Sequence, residues 1–265
     1  MTVEITDRGG VRIVTISRPA RRNAVDPSTA EALFEAFLAF DAEDGVSVAV
    51  LAGAGGHFCA GFDLTAVASG EARAWIARCA IPADWADAWA EPLPGPMGPT
   101  RLVLRKPVIA AIEGYAVAGG LELALWCDMR VAAETAVFGV YCRRWGVPLI
   151  DGGTIRLPRL VGEGRARDLI LTGRRVEAAE AHAVGLVDRL VPEGEAVAQA
   201  VALAGELARL PQACLRADRA SMGLDGGELA RRLRREWRSL DVLEDEGTRG
   251  AARFVDGAGR GGAFD

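Results

Sequence analysis

Glu122 is the first residue whose setting suggests chemistry. It lies in residues 112–128 (IEGYAVAGGLELALWCD), where a short strand ends, two glycines follow and an apolar helix is expected to start near Gly120. A helix start presents unpaired N–H groups and the positive end of a dipole. An oxyanion forming there is stabilised. Glu122 falls in the first helical turn among apolar neighbours, where burial disfavours the charged carboxylate and raises its pKa. That is the condition of a general acid/base; a capping or dipole-satisfying glutamate is the other reading. A second loop, residues 53–64 (GAGGHFCAGFDL), follows a short apolar run. Its glycines let the backbone approach a ligand closely, although alone it also reads as a plain glycine-rich turn. Its spacing is neither G-x-G-x-x-G nor G-x-x-x-x-G-K-[ST], so a dinucleotide site or a P-loop is not supported.

These loops need elements to hold them. Residues 11–16 (VRIVTI) alternate and predict a strand, and Asp26-Pro27 predicts a helix N-cap followed by proline at the first helical position. Apolar runs at 46–51, 108–112 and 129–132 read as buried strands. Strands alternating with helices predict right-handed βαβ units. Beyond about residue 160 the pattern turns helical, with helices expected over 163–172, 195–209, 212–222 and 227–246. A strand candidate lies at 186–191, and a short helix is expected at 248–254. The division is therefore an α/β core, 1–194, and a helical C-terminal region, 195–265. Residues 68–100 carry Trp75, Trp85 and Trp89 and then a proline-rich stretch (EPLPGPMGP). They read either as a surface excursion or as a lid over a pocket.

Composition narrows the function. The chain has 265 residues, half of them apolar and a quarter charged, an ordinary globular balance. A net charge of -5 argues against nucleic-acid and membrane-surface partners. Five cysteines without a C-x-x-C pair, and two histidines, make neither a metal site nor a disulfide scaffold. Reduced thiols and the absence of an apolar leader point to the cytoplasm.

Six segments in order, 17–26 (SRPARRNAVD), 53–64, 106–128, 135–140 (TAVFGV), 152–173 and 177–192, resemble the enoyl-CoA hydratase/isomerase family of the crotonase superfamily. The resemblance implies an α/β fold, a ββα spiral core with a helical C-terminal region that mediates trimerisation, with two trimers commonly stacked as a hexamer. It implies an acyl-CoA or enoyl-CoA thioester as substrate, with coenzyme A part of that substrate and no other cofactor. By resemblance the oxyanion donors are the N–H groups of Phe62 and Gly119. The CoA cradle is the backbone around Ala24, Ala60, Asp63 and Leu64, and Phe254 matches an aromatic that packs on a neighbouring subunit's CoA.

The chain departs from the family at one acid. Glu122 matches the first of the two glutamates of hydratases, but Cys142 stands where the second is usual. A thiol, with a reference pKa of about 8.5, does not simply replace a carboxylate. Asp151 is the candidate second acid. It also reads as the N-cap of a helix starting at Gly152. Arg143 and Arg144 read as solvated or interfacial, or as partners of Asp151, Glu122 or a charged acyl group. Trp126 and Trp145 read as packing residues. The family's C-terminal lysine is Gly257 here, with Arg260 a weak substitute. The expected activity is that of an enoyl-CoA hydratase-like lyase working through a stabilised enolate. Isomerase, decarboxylase or hydrolase chemistry, or a non-catalytic acyl-CoA-binding role, remain as alternatives.

Overall fold

The computed structural model describes residues 2–259. In chain order the core elements are β1 Val3–Arg8, β2 Val11–Ile16, α1 Pro27–Ala42, β3 Val48–Gly53, α2 Leu64–Ser69, α3 Ala72–Arg78, β4 Val108–Ile112 and β5 Tyr115–Val117. Then come α4 Gly119–Trp126, β6 Met129–Ala133, β7 Val137–Gly139, α5 Gly153–Val161, α6 Glu163–Thr172, β8 Val176–Glu177, α7 Ala178–Ala183 and β9 Arg189–Val191. The strand expected at 186–191 is paired only over its last three residues. β1 gave no apolar signal because Val3 is its one buried residue.

One large sheet runs β1-β2-β3-β4-β6-β9, parallel except for the β1–β2 hairpin. β3 and β4 are buried on both faces, which explains their unbroken apolar runs. A small sheet runs β5-β7-β8, and single bridges extend it through Cys59–Ala116 and Val25–Phe62. Successive turns of the chain therefore give a strand to the large sheet, a strand or bridge to the small one, and then a helix. This stacking brings the two glycine-bearing loops side by side. Asp26 caps α1 as expected, accepting from the Thr29 N–H at 2.8 Å ahead of Pro27.

The C-terminal helices are α8 Ala196–Ala208, α9 Gln212–Met222, α10 Gly226–Trp237, a short α11 Leu240–Val242 and α12 Thr248–Val255, with a π turn at Leu243–Gly247. The single helix expected over 227–246 thus breaks after Trp237, and the chain doubles back so that α12 lies on α2. α8 lays Ala200, Leu203 and Ala204 on the large sheet against Val48, Val50, Ile109 and Val131. α10 places Leu229, Ala230 and Leu233 on Trp85, Ala88 and Ile155. α9 buries no residue. Among the described residues no helix is long and apolar enough to cross a membrane.

Candidate active site

A cleft of about 1390 Å³ opens between the small sheet, α2, α3 and the C-terminal turn. Ala24, Ala60, Phe62, Asp63, Leu64, Gly119, Glu122, Cys142 and Asp151 all line it. These nine residues therefore come to one place.

The two backbone donors are positioned by close packing. The ladder bonds Val25 N–H to Gly61 O and Asp63 N–H to Val25 O, both 2.8 Å, leave the intervening Phe62 N–H without a protein acceptor among the described residues. The Gly119 N–H is likewise unaccepted. Gly61 has φ +101, and a Cβ there would stand 3.0 Å from the Gly119 nitrogen and 2.9 Å from the Ala118 Cβ. The loops touch, and only glycine allows it. Ala118, just before Gly119, has φ 53 and ψ -127. Such a backbone in a non-glycine residue costs on the order of 1–3 kcal/mol and persists only where surrounding structure enforces it.

Asp63 is engaged by neighbouring groups rather than free. Its carboxylate accepts from the Thr65 N–H at 3.0 Å, capping α2, and pairs with Arg18 at 3.1 Å. Arg18 also pairs with Asp26 at 2.9 Å and donates to the Ala24 carbonyl. One guanidinium thus ties together the two segments that carry Ala24 and Asp63.

Glu122 is buried in the first turn of α4. Its Oε1 accepts from the N–H groups of Asp151 and Gly153, both at 2.9 Å. Burial raises its pKa well above the carboxylate range, and the charges of Asp151 and Glu236 push the same way. Asp151 is buried beside it. Its Oδ1 accepts from the Met97 N–H at 3.0 Å and from the Thr100 hydroxyl. Burial raises its pKa too, against the pull of those two bonds and of Arg101 and Arg156.

The helix-cap reading of Asp151 is overturned. The N-cap of α5 is Gly152, with no side-chain cap, and the Asp151 carboxylate turns away toward residues 97–100. The caps come from elsewhere: Glu122 from α4 and Glu236 from α10. Sequence reasoning missed Glu236. It accepts from the Gly152 N–H at 2.6 Å, the Thr154 N–H at 2.9 Å and the Thr154 hydroxyl at 2.7 Å. The available signal was its register: Glu236 follows Leu229 and Leu233 on the buried stripe of α10. Two guanidiniums were missed as well. Arg156 donates to the Asp151 and Thr100 carbonyls at 2.9 and 2.6 Å. Arg101 is fully buried, 4.4 Å over the Trp237 ring, and its Nε and Nη2 have no partner among the described residues.

Cys142 lines the cleft on a 3-10 turn, Tyr141–Trp145. Burial pushes its thiol up to about 12, so it is no thiolate nucleophile at neutral pH. Arg143 and Arg144 do not reach the acids. They donate to the Ile170 and Gly173 carbonyls, each at 3.4 Å, and the Arg144 guanidinium lies 3.8 Å over the Tyr141 ring. Trp126 packs edge-on against Phe37, as expected. Trp145 does more than pack, since it lines the cleft with its ring edge-on to Phe254 at 5.3 Å. Arg260 lies outside the described residues.

The lid expected from 68–100 divides in two. Its first part, through Ala80, and Pro96-Met97 wall the cleft. The tryptophans do not. Trp75 donates to the Pro96 carbonyl at 2.9 Å, Trp85 is held by Glu91 and packed under α10, and Trp89 stands on the surface. A buried indole usually has its N–H bonded in this way.

A profile described as "Enoyl-CoA hydratase/isomerase" matches residues 6–225. A probable enoyl-CoA hydratase of Rhizobium meliloti is 37% identical over 258 residues, 96% of this chain and 95% of that protein. A carnitinyl-CoA dehydratase of Salmonella typhi is 38% identical over 211 residues, 78% of this chain and 74% of that protein. The crystal structure of a carnitinyl-CoA hydratase from Mycobacterium avium superposes with a TM-score of 0.82 at 30% identity, covering 96% of this chain and 95% of that one.

Proposed function

This chain belongs to the enoyl-CoA hydratase/isomerase family, and we propose that it is a hydratase-like lyase that adds water to, or removes it from, the C2–C3 bond of a CoA thioester. The observation that carries the reading is the convergence of two unaccepted N–H groups and a buried glutamate of raised pKa on one cleft. Hydratase and dehydratase, the names of its relatives, describe the two directions of one reaction.

The thioester oxygen sits between the Phe62 and Gly119 N–H groups. As water adds to C3, the C2=C3 electron pair moves toward the carbonyl and charge gathers on that oxygen, where the donors stabilise it. Glu122 accepts the proton that the water loses. Asp151, whose neutral form burial favours, delivers a proton to C2. One O–H bond of water and the π bond break; C3–O and C2–H bonds form, and proton exchange with solvent resets the two acids. The reaction balances without a redox or metal cofactor, and coenzyme A enters as part of the substrate. The decisive experiment is incubation with a panel of enoyl-CoA esters followed by mass spectrometry. A gain of one water supports the assignment; an unchanged mass, or loss of carbon dioxide, overturns it.

Asp151→Asn tests the second acid. Asparagine keeps an oxygen for the Met97 and Thr100 donors, so the melting temperature is expected to stay within a few degrees while kcat falls by about 10²-fold or more. Cys142→Ser is the companion variant and is expected to retain turnover. The opposite pattern, activity lost at Cys142 and kept at Asp151, moves the role to the thiol.

The chain is also proposed to assemble as a trimer or a dimer of trimers. α9 buries no residue of its own, and Leu210 and Met222, at either end of it, are exposed. Closed symmetric assembly covers such a surface. Light scattering is expected to give three or six times the 27.9 kDa of one chain; a monomer at micromolar concentration refutes this.

A further inference from the structure

Four successive N–H groups lead into α5, and they are shared alternately by two glutamates. Asp151 and Gly153 donate to Glu122; Gly152 and Thr154 donate to Glu236. The alternation follows from the extended-to-helical turn at Gly152, whose φ of +90 points neighbouring N–H groups to opposite sides. Glu122 lines the cleft and Glu236 does not. Glu236 stands behind α5, nearly buried, brought there by α10.

We propose that Glu236 is a positioning residue for the reaction, holding two of the four N–H groups so that the other two are aimed at Glu122, and tuning Glu122 through its charge. The inference rests on the reading of Glu122 as the acid/base. The charged and titratable groups around the pair are Asp151 before α5, Arg156 on α5, Arg101 on the 3-10 turn Pro99–Arg101 and Cys142 on the opposite wall. Three carboxyls thus share a buried site with two guanidiniums. Were all ionised, the site would carry one excess negative charge, which is relieved by one proton. Glu122 lacks any side-chain donor, whereas Thr100 donates to Asp151 and Thr154 to Glu236. Backbone N–H groups alone hold Glu122, so its ionisation is the one most open to the charge of Glu236.

The sign of the coupling is fixed. A negative Glu236 disfavours the ionised form of Glu122, so neutralising Glu236 lowers the pH at which Glu122 ionises. Glu236→Gln retains a carbonyl oxygen for Thr154 and removes the charge. The Glu122 limb of the kcat–pH profile is expected to move down by about one pH unit, with KM for the CoA ester little changed. A helix cap with no part in the reaction gives a lower melting temperature with the midpoint unmoved, and that result overturns the proposal. Should Glu236→Gln not fold, Thr154→Val removes one donor from Glu236 and shifts its ionisation upward. It is expected to move the midpoint in the same direction by a smaller amount, and an unmoved midpoint again overturns the proposal. Glu122→Gln serves as reference. If that variant keeps full activity, the reading of Glu122 itself has failed; if it is inactive and the Glu236 and Thr154 variants leave the profile unmoved, only the present inference has.

Discussion

Glu122→Gln is expected to lower kcat by about 10²–10⁴-fold, the usual worth of proton transfer by a positioned side chain. Glutamine keeps the shape of glutamate and an oxygen for the Asp151 and Gly153 N–H groups, so the α5 turn is retained. It removes the proton-accepting function and the negative charge. Affinity for the CoA ester is expected to change little, because the proposed oxyanion donors and CoA cradle belong to the backbone. Pre-steady-state and steady-state assays over a pH series check both statements. A variant retaining more than about a tenth of wild-type kcat contradicts the assigned role.

Gly61→Ala is expected to be nearly as damaging by a different route. The new Cβ would lie 3.0 Å from the Gly119 nitrogen and 2.9 Å from the Ala118 Cβ, at a φ of +101 that side chains rarely adopt. The loops must separate, and the Phe62 and Gly119 N–H groups then no longer converge on one oxygen. Loss of one such donor lowers kcat by about 10²–10³-fold. The variant is expected to hold the nucleotide end of coenzyme A normally, since neither Ala24 nor Leu64 is among the atoms that a Cβ at Gly61 would meet most closely. Calorimetric titration with coenzyme A, set beside turnover with the thioester, separates the two effects. Unchanged turnover would show that the loops do not form the oxyanion site.

Much of this site was legible in the sequence because backbone chemistry leaves a residue-level trace. Gly61, Gly119 and Gly120 occur where a Cβ would strike a neighbouring loop, and Glu122 is conspicuous in an apolar helix. The strands β3 and β4 were legible because both faces are buried. β1 was not, since its side chains face solvent and only its pairing with β2 makes it a strand. Asp151 reads in the sequence both as a second acid and as a cap, because a sequence shows which residue precedes a helix, not where its side chain turns. Met97 and Thr100, some fifty positions earlier, decide that direction. Glu236 was invisible for the same reason at greater range. It sits in a run of arginines that reads as a solvated helix, and its partners Gly152 and Thr154 lie more than eighty residues away.

The late position of Glu236 in the chain has a consequence for the order in which the site comes into being. A chain is made from its N-terminus onward, and a domain generally folds as a unit. The two glycine-bearing loops, Glu122 and Asp151 all precede residue 152, so they are synthesised before the residues that enclose them. The other cap of α5 and the cleft wall made by Leu240, Leu243 and Phe254 come only afterwards. Until α10 docks, the Gly152 and Thr154 N–H groups have no carboxylate, and the far side of the cleft is open to water. The cleft is therefore complete only once the last helices have docked.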